Sequence, residues 1–286
     1  MDAAVTRYLG HLALRGFSAE TIRSRRNTLA RMSVTLGCPL IEATAGDLLI
    51  WRRLLRTGPA ATANYVSAAA GFYAWAVDED LLDASPATRL PCPKVGRRLP
   101  RPISDADLMA ALDSAPDRIR PWLVLAGWCG LRAKEIALLR VGCIMTTARP
   151  RPLLLVAGDA TKGTSERTVP LCRFVIGELS AAGLPGSGYA FRRLDGQPGP
   201  NRPWLVSGLA NEYLHEHGIT ATMHQLRHRF GTRFYETSGH DLLATSATMG
   251  HKRPESTAGY ADWSRAGAAE AAEALPVPRR PGKKGS

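Results

Sequence analysis

Apolar residues recur at helical spacing through the first ninety positions. Val5, Tyr8, Leu9 and Leu12 fall three or four apart, as on one face of a helix, and Gly16 closes that stretch. Ser18 is placed to cap a second helix carrying Ile22, Leu29, Met32 and Leu36 on one side. Thr44 followed by Asp47 has the form of a capping box ahead of Leu48, Leu49, Ile50, Trp51, Leu54 and Leu55. A fourth helix is predicted to carry Tyr65, Ala69, Phe72 and Ala76. The pattern breaks over residues 84–103, where Pro86, Pro91, Pro93, Pro100 and Pro102 deny a continuous helix. Lys94, Arg97, Arg98 and Arg101 make that stretch cationic, and it reads as an extended linker.

Ser104 with Asp107 has the form of another capping box and opens a second domain. Helical pattern runs through Trp122–Trp128, and after Arg132 a short helix carries Ile136, Leu138 and Leu139. Two compact runs follow, residues 153–156 and 167–170, with Gly158, Asp159 and Gly163 between them. They predict a small antiparallel sheet, with Lys162 on its hairpin. Helices return after Leu171, around residues 204–217, 225–237 and 241–249. An Ala/Glu-rich stretch, 266–275, is expected to form one last helix, and the final eleven residues to be disordered. The fold class is therefore mainly α with a small antiparallel β-sheet (α+β). The expected divisions are a helical domain over 1–90, a basic Pro-rich linker over 91–103, a second domain over 104–265, and a terminal helix with a basic tail over 266–286.

Charge narrows the choice of partner. Lys and Arg number 37 against 25 Asp and Glu, a net charge of +12, in a chain of 286 residues. Removing the tail residues Arg279, Arg280, Lys283 and Lys284 leaves a strongly basic body. Such an excess favours a polyanion, and without a basic amphipathic helix nucleic acid is preferred over a membrane surface. Arg23, Arg25 and Arg26 on the second helix, and Lys94, Arg97 and Arg98 in the linker, are the candidate DNA-contacting residues. On helices such arginines are more often solvated; the linker reads equally well as a spacer or as a strap along a nucleic-acid backbone. The five cysteines form no Cys-x-x-Cys pair, so reduced packing thiols are expected. No apolar run approaches a membrane span and the first residues lack a signal-peptide core, which makes a cytoplasmic protein the expectation.

Three segments carry chemistry. Arg132 lies in Gly130-Leu131-Arg132-Ala133-Lys134-Glu135. His224, Arg227 and His228 occupy i, i+3 and i+4 of a predicted helix, so His224 and Arg227 share a face. Tyr260 stands nine residues after His251. A phenol, two guanidiniums, imidazoles and a lysine are the groups needed to cut a phosphodiester without a metal: nucleophile, charge clamp, and acid for the leaving oxygen. Taken singly, a tyrosine is usually a packing residue and an arginine a surface ion-pair partner. His224 and His228 also have the spacing of a zinc helix, but Gln225 stands where that motif needs a glutamate and no third ligand is in place. No metal and no cofactor are therefore expected.

Together these segments resemble the tyrosine recombinases, the phage integrase family. The family's first arginine follows Gly-Leu and precedes a Glu by three residues, as Arg132 and Glu135 do. Its hairpin lysine context matches Thr161-Lys162-Gly163 through Arg167-Thr168-Val169-Pro170-Leu171. His224, Arg227 and His228 match the His-x-x-Arg-His box, and Met249-Gly250-His251 matches the Leu-Gly-His box with Met for Leu. The resemblance spans about residues 104 to 265 and implies catalytic roles for Tyr260, Arg132, Lys162, His224, Arg227 and His251, with Glu135 and His228 orienting the site. It also implies a 3′-phosphotyrosyl intermediate, a Holliday junction, a double-stranded inverted-repeat core site, a homotetramer on DNA and an accessory DNA-bending protein. Since helical pattern starts in the first residues, it resembles the short form without an arm-binding domain. Gly259 before Tyr260, and Ala261-Asp262-Trp263 after it, depart from the usual pattern. Two other readings stay open: type IB topoisomerase-like DNA relaxation, and a catalytically silent DNA-binding regulator.

Overall fold

A computed structural model of the chain describes residues 2–96, 99–148, 151–158 and 166–250. Contacts divide the chain into two compact units, Met1–Arg97 and Arg98–Ser286. Expectations that rest on Lys162, His251, Tyr260, Arg97, Arg98 and the 266–275 helix lie outside the described residues.

The first unit is helical, as its periodicity implies: α1 (Ala3–Leu14), α2 (Ala19–Leu36), α3 (Ala45–Leu54) and α4 (Pro59–Asp78). The caps sit where the sequence puts them. Ser18 accepts from the Thr21 N–H, and Thr44 and Asp47 satisfy each other's backbone N–H groups. Leu29, Met32, Leu48, Trp51, Phe72 and Tyr73 fill the core, and the Tyr73 hydroxyl donates to the Leu40 carbonyl at 2.8 Å. Ala87 and Leu90 pack into the same core, so the first part of the proline-rich stretch is structural rather than a solvated spacer.

The second unit runs α5 (Asp105–Asp113), α6 (Arg120–Cys129), α7 (Ala133–Ala137), β1 (Ile144–Met145), β2 (Leu153–Val156), β3 (Arg167–Pro170), α8 (Arg173–Ala181), α9 (Pro203–Glu216), α10 (Met223–Thr237) and α11 (Leu242–Met249). The sheet is antiparallel in the order β1-β2-β3. The two-residue β1 escaped the sequence reading because so short a strand has no alternation to read. α6 is apolar all round and is buried almost throughout, with α10 packed along it. Asp105, at the start of α5, takes Arg229 and Arg233 of α10 and ties the two helices.

Gly130 ends α6 in the left-handed region, φ 63°, and a Cβ there would collide with the Phe230 ring of α10. Glycine is required for both reasons, backbone handedness and close approach. Gly130→Ala should destabilise the protein by about 2–4 kcal/mol in denaturant unfolding. Gly142→Ala, where a Cβ meets open space, should change stability by no more than about 0.5 kcal/mol.

Candidate active site

The close approach at Gly130 sets up the site. It leaves Arg132 as the N-cap of α7, three residues before Glu135. Glu135 is 1% exposed, and a buried carboxylate demands partners. It has three guanidiniums and one backbone donor. Its Oε1 accepts from Arg132 Nη1 at 2.8 Å and Arg167 Nη1 at 2.9 Å. Its Oε2 accepts from the Arg132 backbone N–H at 2.8 Å and Arg167 Nη2 at 2.8 Å, with Arg227 Nη1 at 3.8 Å. Burial alone would raise the Glu135 pKa. The Arg167 hydrogen bonds and charge, the Arg227 charge and the Arg132 N–H outweigh it, and the net shift is downward.

The two candidate clamp arginines are not equivalent. The Arg132 side chain is about one-third exposed. Arg227, on α10, is buried; its Nη1 donates to the Gly130 carbonyl and its Nη2 to the Met249 carbonyl. α10 is set in place by a capping box in which the Gln225 side chain accepts from the Thr222 N–H at 3.0 Å. Gln225, which argued against a zinc helix, thus has a structural duty.

His224 opens to solvent at the start of α10, and its ring meets that of His228 edge-to-face with centroids 4.5 Å apart. Partial desolvation, followed by the charges of Arg227 and Arg132, lowers the His224 pKa. Desolvation, then His224 and Arg227, brings His228 down to about 4. Both imidazoles are therefore neutral at pH 7, and His224 is competent to take a proton.

Arg167 was missed as a site residue by the sequence reading, which used it only as motif context. A signal was present. In β3 it alternates with buried Val169, so a charged residue stands on the core-facing side of the strand. Its Nε also donates to the Thr248 carbonyl at 2.8 Å, near the end of α11. Of the candidate DNA-contacting residues, Arg23 pairs with Glu20, Arg25 bonds Ser67 at 3.3 Å, and Arg26 and Lys94 lie exposed. A cavity of about 400 Å³ in the second unit, lined by Arg118, Arg193, Asp195, Asn201 and Arg202, contains none of the candidate catalytic residues.

Residues 105–266 match the phage integrase family model. The chain belongs to the phage integrase family, the tyrosine recombinases. These are DNA breaking-rejoining enzymes, and the matched stretch contains Arg132, Lys162, His224, Arg227, His251 and Tyr260. The chain is 31% identical over 281 residues to tyrosine recombinase XerC of Erythrobacter litoralis, covering 87% of this chain and 84% of that protein. It is 28% identical over 287 residues to tyrosine recombinase XerD of Pseudomonas aeruginosa, covering 92% and 93%. Among solved structures, the fold matches a lambda integrase(75-356) dimer bound to a COC′ core site with TM-score 0.72, at 17% identity and 90% and 94% coverage. It also matches a lambda integrase tetramer bound to a Holliday junction with TM-score 0.68, at 19% identity and 88% and 77% coverage. The mainly helical fold with a small antiparallel sheet is thus that of tyrosine recombinases. No helix among the described residues is long and apolar enough to cross a membrane.

The depressed Glu135 pKa has a definite sign in stability. Its contribution is fully present above the ordinary glutamate value of 4.5 and is lost as pH falls through the lower folded value. Glu135→Gln should therefore lower unfolding free energy at pH 7 by about 3 kcal/mol, since it leaves buried guanidiniums without their counter-charge. Urea unfolding across pH should show that deficit shrinking below pH 4.5. A deficit constant with pH would contradict the assignment.

Proposed function

We infer that the chain is a site-specific DNA recombinase that cuts and rejoins strands through a phosphotyrosyl ester, with Tyr260 as nucleophile. The observation that carries the reading is the set of three guanidiniums gathered around one buried carboxylate. Three positive charges against one negative leave a surplus of two, presented at the surface by Arg132. Such a surplus suits a phosphate whose charge rises in the transition state. The matched stretch also contains Lys162, His251 and Tyr260 in sequence, which supports the reading.

In this reading the Tyr260 oxygen attacks the scissile phosphorus. The P–O3′ bond is kept, a P–O bond to tyrosine forms, and the bond to the 5′ oxygen breaks. His224, neutral at pH 7, takes the phenolic proton. Lys162 protonates the departing 5′ oxygen. Arg132 and Arg227 stabilise the pentavalent phosphorus, His251 hydrogen-bonds a nonbridging oxygen, and Glu135 and His228 orient the cluster. The ester conserves the bond energy, so a second strand's 5′-hydroxyl can reseal the break without a cofactor. The proposed substrate is double-stranded DNA with an inverted-repeat core site, bound by a homotetramer that passes through a Holliday junction, with an accessory DNA-bending protein. Arg23, Arg25, Arg26, Lys94, Arg97 and Arg98 are proposed to contact the backbone. The proposed setting is the nucleoid, in the cytoplasm of a bacterium or phage-infected host.

The test is incubation with a pool of nicked duplexes carrying a randomised core, where loss of the short cut strand traps the covalent complex. Wild type should give an SDS-resistant adduct and select one core sequence, and Tyr260→Phe none. Lys162→Ala should slow adduct formation ~10²–10⁴-fold while retaining DNA binding. Rates should fall on acidification with a midpoint below 6.5, because His224 must be neutral to act as base. DNA binding by wild type without any adduct would contradict the reading.

A further inference from the structure

We propose that Arg167 is a positioning residue of the cleavage reaction: by forking onto Glu135 it keeps Arg132 and Arg227 from closing further on that carboxylate, and it anchors the end of α11, after which His251 follows in sequence. The proposal rests on the recombinase reading and deepens it.

Arg167 makes the side-on fork to Glu135, with both Nη atoms on the two carboxylate oxygens at 2.9 and 2.8 Å. Its Nε takes the Thr248 carbonyl at 2.8 Å. Every nitrogen of the guanidinium therefore has an acceptor, and the side chain is only 6% exposed. Three of its five N–H donors are so engaged, all on Glu135 and α11, and the group acts through what it holds. It holds three parts of the site. Glu135 belongs to the helix that Arg132 caps. Thr248 lies two residues before Gly250, which ends α11 at φ 63° with His251 next in sequence. A Cβ at Gly250 would stand 2.9 Å from Arg167 Cδ and 3.0 Å from its Nη1, so the glycine is fitted to this guanidinium. Arg167 itself opens β3, opposite Val156, at the end of the connection that carries Lys162 in sequence.

A third arginine satisfies the carboxylate that the other two would otherwise share. Without Arg167, one carboxylate with vacated lone pairs would face two guanidiniums. Arg132 Nη1 already touches it, and Arg227 Nη1 is 3.8 Å away. Both would close on Glu135, Arg227 leaving the Gly130 carbonyl, and both would be drawn from the phosphate. A displacement of that size, about 1 Å, is enough to cost ~10²-fold in rate.

The test uses the duplex recovered with wild-type protein and compares Arg167→Ala, Arg167→Lys and Arg167→Ala/Glu135→Gln. Adduct formation is timed at saturating DNA, beside core-site affinity. Arg167→Ala should cleave ~10²-fold more slowly with affinity within about threefold of wild type. Arg167→Lys keeps the charge but not the fork and should fall between them, about tenfold slow. The double variant should recover at least about fivefold over Arg167→Ala, because the neutral amide no longer draws in the other two arginines. Arg167→Ala at a wild-type rate would overturn the proposal. So would rate and affinity falling together with no recovery in the double variant, which is the result for a residue that only stabilises the fold. Should Arg167→Ala fail to fold, Arg167→Lys decides: a wild-type rate overturns, a slowed rate at unchanged affinity supports. Absence of an adduct with wild type would instead remove the recombinase reading itself.

Discussion

One buried carboxylate ties together the elements that carry the candidate site residues. Removing Glu135 from water is costly, and three guanidiniums and a backbone N–H offset the cost. In return, α7, β3 and α10 are fastened to a single point, and Arg227 and Arg167 extend the network to the Met249 and Thr248 carbonyls of α11. The elements come from well-separated parts of the chain, so their meeting is a product of the tertiary fold. Gly130 and Gly250 stand beside this network, at the ends of α6 and α11. Each has positive φ, and each makes room for a side chain, Phe230 or Arg167, at a distance a Cβ would forbid.

The same arrangement creates a graded electrostatic site. Arg132 is the most exposed of the three guanidiniums, while Arg227, on main-chain carbonyls, and Arg167, on Glu135, are buried. The surplus positive charge disfavours protonated imidazole nearby and contributes to the lowered pKa of His224 and His228. Desolvation comes first in lowering both imidazoles, and the surplus charge adds to it. Phosphoryl transfer in general calls for a charge clamp on the phosphate and an acceptor for the nucleophile's proton.

Much of this was legible in the sequence. The caps at Ser18 and Thr44 and the helix faces of the first unit follow from local rules, because capping and amphipathic periodicity act within one or two turns. The β2–β3 pairing was legible from two compact runs separated by glycines. Arg132, Glu135 and Arg227 were legible from motif spacing, and the structure brings them together; Lys162, His251 and Tyr260 lie outside the described residues. β1 and the packing of Ala87 and Leu90 were not legible, since a two-residue strand and a coil docked on a core depend on partners distant in sequence. Arg167 is the instructive case. Its strand position announced an inward-facing charge, but only the tertiary fold reveals that the charge meets Glu135.

The central claim is that Glu135, kept occupied by Arg167, holds two other arginines in readiness for one phosphate. The most direct measurement is a structure of Tyr260→Phe bound to the intact core duplex. The account predicts Arg132 and Arg227 donating to nonbridging oxygens of a single phosphate at about 3 Å, with the Arg167 fork on Glu135 unbroken. A complex in which Glu135 pairs with Arg132 and Arg227 away from the DNA, or in which the phosphate sits elsewhere on the second unit, would contradict it.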